Sequence, residues 1–559
     1  MKELFRRLSA HPWITGELVI ASLFANLLAL ASPLFVIQVL QRYVTYGVDS
    51  TLATLTIGVI AAIVLELIFR YARLLLVSEH LSEADERWAV GAFGIITTAK
   101  TSELDRLPPG QRREILRGLD QVEATYNGAN IATLLDIPFA FLFLLALTLL
   151  NPTLGGVAFL FIIIALAYNA LNRRSLMKPT LQLTDVAATG NMLIATSNRA
   201  ADTIRAFNGG DMIMQAWRQY VEKARHLRSR ISNSQGQAQT LSQSIQALMG
   251  VAVIATGALL VVAGDLDVGT MIGANIMAAR ALGPISRFAQ LSESLTKATQ
   301  TIDRLRAMAK MAVERDSGTK LDNYGGAFEF KDTGFTYPGM SAPIFESLSL
   351  KVSPGAVVVV TGRNGAGKTS LCRLLIGLIE PTRGQMLVDG VDLAQVVPTW
   401  WRTQVSYLPQ EPNFLNATIR ENLLAASPDL DDETLNACIR EAGLGSFIDE
   451  SAEGLDTEIQ NNGYTLALGI RRRLALARAL AANGMLVVFD EPTEGLDDEG
   501  RNAVFTTMKK LSERGRTMII TTSDPQILSG ARLVLDLNAK PVPRLLNMSP
   551  AENSNEGGG

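Results

Sequence analysis

The sequence predicts an α-helical transmembrane domain of six spans followed by an α/β domain, and three observations carry that prediction. Nearly all the long apolar runs lie before residue 290, and a bilayer core needs about 20 such residues per helix. From Gly326 onward, strand-like runs alternate with helix-like ones, the pattern of an α/β domain. Between them in importance stands Val357-Val-Val-Val-Thr361, an unbroken β-branched run that leads directly into Gly362-Arg363-Asn364-Gly365-Ala366-Gly367-Lys368-Thr369. That octet spells G-x-x-x-x-G-K-[ST], the spacing of a loop that cradles phosphates.

A chain of 559 residues implies more than one domain, and its mean hydropathy of +0.20 is high for a soluble protein. The net charge of -3 argues against a general nucleic-acid binder. Cys372 and Cys438, the two cysteines, both fall in the second half and are expected as reduced, packed thiols; no disulfide framework or zinc spacing is present. The three histidines are His11, His80 and His226, so none lies beyond residue 226.

Residues 1–16 carry Lys2, Arg6 and Arg7 but no cleavable-signal pattern, because the apolar run that follows is too long for one. Leu18 to Gln41 is uncharged and predicts a first span, which Pro33 is placed to kink. A second span is expected from about Leu52 to Phe69, with Glu66 and Arg70 spaced to pair on one helical face. Residues 76–127 are polar and amphipathic. The uncharged stretch from Ile137 to Asn172 is long enough for two helices, divided by a tight turn at Asn151-Pro152. After the charged residues 173–240, Gln246 to Gly264 predicts a fifth span, and Val268 to about Phe288 a weaker sixth interrupted by Arg280 and Pro284. Arg280 lies about 18 Å into that helix at the usual rise. It reads either as a pathway residue or as one half of an ion pair with Glu66 or Asp136.

Lysine and arginine set the orientation. The two long loops carry many, including Lys100, Arg106, Arg112, Arg173, Arg174 and Arg205, whereas the short connections near Gly47, Asn151 and Gly264 carry none. Both termini and both long loops are therefore expected in the cytoplasm. The expected organisation is a transmembrane domain over 1–310, a polar linker over 311–325, the α/β domain over 326–537, and a disordered Pro/Asn/Ser/Gly-rich tail over 538–559.

The glycine-rich octet states its own chemistry. The valines supply a buried strand aimed at the loop, and the glycines let backbone N–H groups face phosphate oxygens where a Cβ would obstruct them. Lys368 adds a point charge for the β- and γ-phosphates, and the Thr369 hydroxyl is placed to ligate Mg²⁺. From Ser370 a helix follows, its N-terminus also directed at the anion. Gly362, Arg363, Asn364, Gly365, Ala366, Gly367, Lys368, Thr369 and Ser370 are thus the candidate nucleotide-binding residues. Further on, Met485-Leu-Val-Val-Phe-Asp490-Glu491 is an apolar strand ending in two carboxylates, with Asp490 expected in the Mg²⁺ shell and Glu491 as general base on the attacking water.

With these motifs in place, the chain up to about residue 537 resembles an ATP-binding-cassette (ABC) transporter subunit, its membrane domain fused ahead of its ABC-type nucleotide-binding domain. The resemblance implies ATP and Mg²⁺ as cofactors and several further site residues. Tyr337, in Phe335-Thr-Tyr-Pro338, matches the aromatic that stacks on adenine. Gln410, in Leu408-Pro-Gln410, matches the glutamine that touches Mg²⁺ and reports to the membrane domain. Asp497 matches a loop that crosses the dimer interface.

Two departures qualify the resemblance. Where the family reads Leu-Ser-Gly-Gly-Gln before a basic helix, this chain reads Leu466-Ala467-Leu468-Gly469-Ile470 before Arg471-Arg-Arg-Leu-Ala-Leu-Ala-Arg-Ala-Leu480. In the family that signature clamps the γ-phosphate held by a second subunit. Ala467 lacks the hydroxyl donor, and Leu468 adds a side chain where backbone must approach phosphate. The family also has a histidine that contacts the γ-phosphate; here Ser523, in Ile519-Ile-Thr-Thr-Ser-Asp-Pro525, holds that position and cannot carry charge near neutral pH.

The membrane segments Asn26-Leu-Leu-Ala-Leu-Ala-Ser-Pro-Leu-Phe-Val36, Leu134-Leu-Asp-Ile-Pro-Phe-Ala-Phe-Leu-Phe143 and Ala278-Ala-Arg-Ala-Leu-Gly-Pro284 resemble the exporters of type I secretion systems. That resemblance implies a polypeptide cargo, a location in the bacterial inner membrane, a periplasmic membrane fusion protein and an outer-membrane channel as partners, and a second half-transporter. The short N-terminus is expected to lack the peptidase-like domain of some relatives. Asn198-Arg-Ala-Ala-Asp-Thr-Ile-Arg-Ala-Phe207 resembles a segment that docks onto the nucleotide-binding domain. The expected function is ATP-driven polypeptide export, with this chain the degenerate partner of a heterodimer. The alternatives are an exporter of lipid or small molecules, and a regulatory subunit that binds ATP without turnover.

Overall fold

The computed structural model describes residues 2–80, 82–107, 109–540 and 542–547. The chain divides into two compact units, one of residues 1–98 and 106–311, the other of residues 99–105 and 312–559.

The first unit is helical throughout. Among the described residues, five helices are long and apolar enough to cross a membrane: α1 (Pro12–Tyr46), α2 (Asp49–Val77), α3 (Gly128–Leu150), α4 (Pro152–Arg199) and α5 (Gly210–Val262). The sixth, α6 (Val268–Met308), is continuous through Pro284, and Arg280, Arg287 and Glu293 dilute its apolar character. α1 is interrupted by a turn at Ala29–Leu30, four and three residues before Pro33, whose nitrogen has no N–H to donate to the preceding turn. The short connections cap as their residues dictate. Asn151 accepts from the N–H groups of Thr153 and Leu154 to start α4, and Asp267 accepts from Thr270 N at 2.8 Å to start α6.

Glu66 and Arg70 pair at 2.7 Å, as their spacing predicts. Arg280 does not take either partner suggested for it. Asp136 is bound by Arg73 at 2.6 Å and by Asn26 Nδ2 at 3.0 Å, while Arg73 also donates to Ser22 Oγ. These four buried groups join α1, α2 and α3 where isolated charge is costly, and Asp136 already has its counter-charge in Arg73. Arg280 is half-buried and has no ion-pair partner among the described residues.

The second unit contains two sheets. A four-stranded antiparallel sheet has the order β2-β1-β4-β5, from β1 (Phe328–Phe335), β2 (Phe345–Val352), β4 (Arg383–Val388) and β5 (Val391–Asp392). The larger sheet takes β3 (Val357–Thr361), β6 (Val405–Leu408), β7 (Leu486–Asp490), β8 (Thr517–Thr521), β9 (Leu533–Asp536) and β10 (Arg544–Asn547) in the order β10-β9-β3-β8-β7-β6. β9, β3, β8, β7 and β6 pair in parallel, so their C-terminal ends share one edge, the edge where open α/β sheets bind ligands. Both faces are covered: Val358 and Val360 enter one core with Trp401, and Val359, Val487 and Phe489 the other.

One expectation requires correction. Arg544–Asn547 forms an edge strand antiparallel to β9, with Leu545 opposite Leu535, inside the stretch expected as a tail. A β9 edge with unpaired N–H and C=O groups recruits a strand even from a Pro- and Asn-rich context. The linker residues also lie on the second unit: Glu314 receives both Nη groups of Arg402 at 2.8 and 2.6 Å, and Thr319 N donates to Gln395 O.

Candidate nucleotide site

The strand order fixes the site. β3, β8 and β7 are neighbours, with Val360 opposite Thr521 and Thr521 opposite Asp490. The residues that follow these three strands are the glycine-rich loop, Ser523 and Glu491. Helix α7 (Lys368–Leu375) starts where the loop ends.

Gly365 and Gly367 lie at φ +82° and +109°, conformations that side chains oppose. A Cβ on Gly367 would meet Ile344 Cγ2 at 2.4 Å, so the loop is held against β2 by the absence of a side chain. Arg363 N donates to Asn538 Oδ1 at 2.8 Å, and Lys540 donates to the carbonyls of Ile344 and Ala366. Asn538 and Lys540 belong to the stretch expected as a tail, and instead they buttress the loop. Burial holds the Lys540 ammonium below its ordinary pKa.

The buried ammonium of Lys368 donates to Gly362 O at 2.8 Å and to Ser523 Oγ at 3.1 Å, and it pairs with Glu491 Oε1 at 2.7 Å. Ser523 returns two bonds to Glu491, from its N–H to Oε2 and from its hydroxyl to Oε1, both at 3.0 Å. Three residues from three strand ends thus close on one another. Glu491 itself sits at φ +50°, unusual for a side-chain-bearing residue, and Thr521 O accepts its N–H at 2.9 Å. Such strain, typically about 1–3 kcal/mol, persists where surrounding bonds over-determine it and commonly marks a working site.

Asp490 is fully buried. Its Oδ1 accepts from Thr521 Oγ1, while Oδ2 has no hydrogen-bond partner among the described residues. Burial raises its pKa above the ordinary carboxylate range. A buried carboxylate oxygen without a hydrogen-bond partner among the described residues suits a hard cation such as Mg²⁺.

The remaining sequence candidates gather around this centre. Tyr337 is half-buried, edge-on to Phe335 with ring centroids 4.7 Å apart, and its hydroxyl lies 3.1 Å from Ser370 Oγ at the start of α7. Gln410 follows β6, and its Nε2 donates to Glu494 at 3.1 Å. Asp497 caps the helix over Asp498–Glu513 through Gly500 N at 2.9 Å and accepts from Arg473 Nη2 at 2.7 Å. The stretch Leu466–Ile470 leads into α8 (Leu468–Ala482). Ala467 is its N-cap residue and makes no side-chain cap; Leu468 is exposed, and Gly469 faces open space. Thr521, Asn538, Arg472 and Glu494 are contributors that no local sequence pattern singles out.

Residues 345–494 match the ABC transporter family, and residues 15–284 match the ABC transporter transmembrane region. Among similar proteins, the alpha-hemolysin translocation ATP-binding protein HlyB of Escherichia coli O157:H7 is 30% identical over 509 residues, covering 90% of this chain and 71% of that protein. The leukotoxin export ATP-binding protein LtxB of Aggregatibacter actinomycetemcomitans is 27% identical over 524 residues, covering 93% of this chain and 74% of that protein. The structure of a bacterial Atm1-family ABC exporter with ATP bound superimposes with a TM-score of 0.82 over 96% of this chain and 94% of that one, at 19% identity, which shows a shared fold. The chain is accordingly a membrane protein, its transmembrane region preceding its ATP-binding domain. From two matched domains and a relative alike along nine-tenths of the chain, it follows that this protein belongs to the ABC transporter family.

Proposed function

We propose that this chain is one half of an ATP-driven exporter that moves a polypeptide across the inner membrane by a type I secretion route. The observation that carries this reading is its likeness, along 90% of its length, to a protein named for alpha-hemolysin translocation. On this reading a second half-transporter, a periplasmic membrane fusion protein and an outer-membrane channel complete the machine.

In the proposed mechanism Tyr337 stacks on adenine, and the backbone of Gly362–Gly367, with Ser370, receives the phosphates. Lys368 exchanges its bonds to Glu491 and Ser523 for the β- and γ-phosphate oxygens, a change its central position between them favours. Thr369, Gln410 and Asp490 would hold Mg²⁺, which when bound offsets phosphate charge. Relieved of Lys368, Glu491 Oε1 has a lone pair with which to accept a proton from the attacking water, while Ser523 keeps the carboxylate oriented.

The same reading makes this chain the weaker partner of a heterodimer. Ala467 offers no hydroxyl to a γ-phosphate across the interface, and exposed Leu468 occupies the approach. A hydrogen bond to a charged partner is worth about 1.5–3 kcal/mol, so a site closed by this stretch is slow. A partner with an intact signature would serve the site that contains Lys368 and Glu491.

The test is deletion of the chain in its host, complemented by wild-type and Lys368→Ala copies. A secreted polypeptide should accumulate inside the deleted and Lys368→Ala cells and leave the complemented ones. Unchanged secretion, with a lipid or small molecule retained instead, contradicts the polypeptide reading.

A further inference from the structure

Glu494 lies in the turn that leaves β7, three residues beyond Glu491, and its N–H donates to the Glu491 carbonyl at 3.3 Å. Its carboxylate collects side chains from two other elements. Gln410 Nε2, after β6, donates to Oε2 at 3.1 Å, and Arg472 Nη2, in α8, donates to the same oxygen at 3.3 Å. Arg472 is largely buried, and its other Nη group reaches the Glu491 carbonyl at 3.5 Å. An ionised carboxylate only accepts, so the end of the Gln410 amide that faces it is the nitrogen. The other end, Oε1, is the only atom of that side chain able to ligate a hard cation.

We infer that Glu494 is a positioning residue: by engaging Gln410 Nε2, backed by Arg472, it keeps Gln410 Oε1 free and turned outward as a Mg²⁺ ligand. This rests on the metal-ligand role proposed above for Gln410. Glu494 acts through the orientation of a neighbouring amide that, unanchored, is free to flip and present a donor to a cation.

The test uses the full-length chain in lipid nanodiscs with a non-hydrolysable ATP analogue and Mn²⁺ as the probe, its affinity read by electron paramagnetic resonance. Glu494→Ala should weaken Mn²⁺ about fivefold, the loss of one modest hydrogen bond. Glu494→Gln, able to offer either a donor or an acceptor, should fall between. Analogue binding in EDTA should be unchanged in both, which also reports that the site is folded. In a Gln410→Ala background Glu494→Ala should have no further effect on Mn²⁺. Full Mn²⁺ affinity in Glu494→Ala, with Gln410→Ala impaired, overturns the positioning role; so does an additive loss in the double variant. Unchanged Mn²⁺ affinity in Gln410→Ala overturns the ligand role of Gln410 and this inference with it.

Discussion

Lys368 Nζ and Glu491 Oε1 lie 2.7 Å apart, so the cation of the glycine-rich loop is neutralised by the carboxylate that follows Asp490. Both side chains are buried, and Ser523 bonds each of them. In the proposed mechanism, binding a nucleotide exchanges one anion for another at Lys368, and Glu491 is released from the ammonium.

Ser523 is then both a brace and a restraint. Ser523→Ala removes a donor from Glu491 and an acceptor from Lys368, and the nucleotide-free protein should lose about 1 kcal/mol of stability, read as a lower thermal midpoint in detergent. Ser523→His should raise ATP turnover of the assembled transporter, because imidazole reaches further and can carry charge near neutral pH. Turnover that is unchanged or lower in Ser523→His would remove the missing histidine as a cause of slow hydrolysis.

Gly367→Ala should abolish binding of a fluorescent ATP analogue. At φ +109° any side chain is strained, and the added Cβ would meet Ile344 Cγ2 at 2.4 Å. Gly469→Ala, whose Cβ would meet nothing within 4 Å, is the matched control and should bind the analogue normally.

Much of this site is legible in the sequence because its signals are local. A β-branched run, a glycine-rich octet and a helix occupy consecutive residues, and an apolar strand ending in Asp490 and Glu491 is equally contiguous. What the sequence hides is non-local. Asn538 and Lys540 read as tail because Pro and Asn dominate their surroundings, yet β9 delivers them to the loop. Arg73 and Asp136 are 63 positions apart, and no periodicity announces their pairing; the same ignorance made Asp136 a plausible partner for Arg280.

The Arg73–Asp136 pair should be worth more broken than absent. Arg73→Leu or Asp136→Leu leaves a buried charge uncompensated and should cost about 3–5 kcal/mol, seen as lost yield and early unfolding in detergent. The double variant should be milder than either single one. Strictly additive losses would show that the two groups act independently.

Asp497 gives a pH-dependent signature. The bond from Arg473, chiefly, with that from Gly500 N, holds its carboxyl below the ordinary range. Because the folded pKa is depressed, its contribution is present above the ordinary carboxylate value, near 3.9, and is lost as pH falls through the depressed one. Asp497→Asn keeps an acceptor for the helix cap and loses the charge, so it should be less stable than wild type at neutral pH and converge with it in acid. Asp497→Ala loses both and should remain the least stable throughout. A gap between wild type and Asp497→Asn that does not narrow as pH falls would contradict the assignment.

The central claim is that this chain has a complete nucleotide-binding half-site and an impaired clamp, so its turnover depends on a second subunit. The direct measurement is ATP hydrolysis by the purified chain alone and by the complex captured from its native membrane, each with a Glu491→Gln control. Slow turnover alone, accelerated at least about tenfold in the complex and sensitive there to Glu491→Gln, is the expected result. Brisk hydrolysis by the chain alone, abolished by Glu491→Gln, would contradict it.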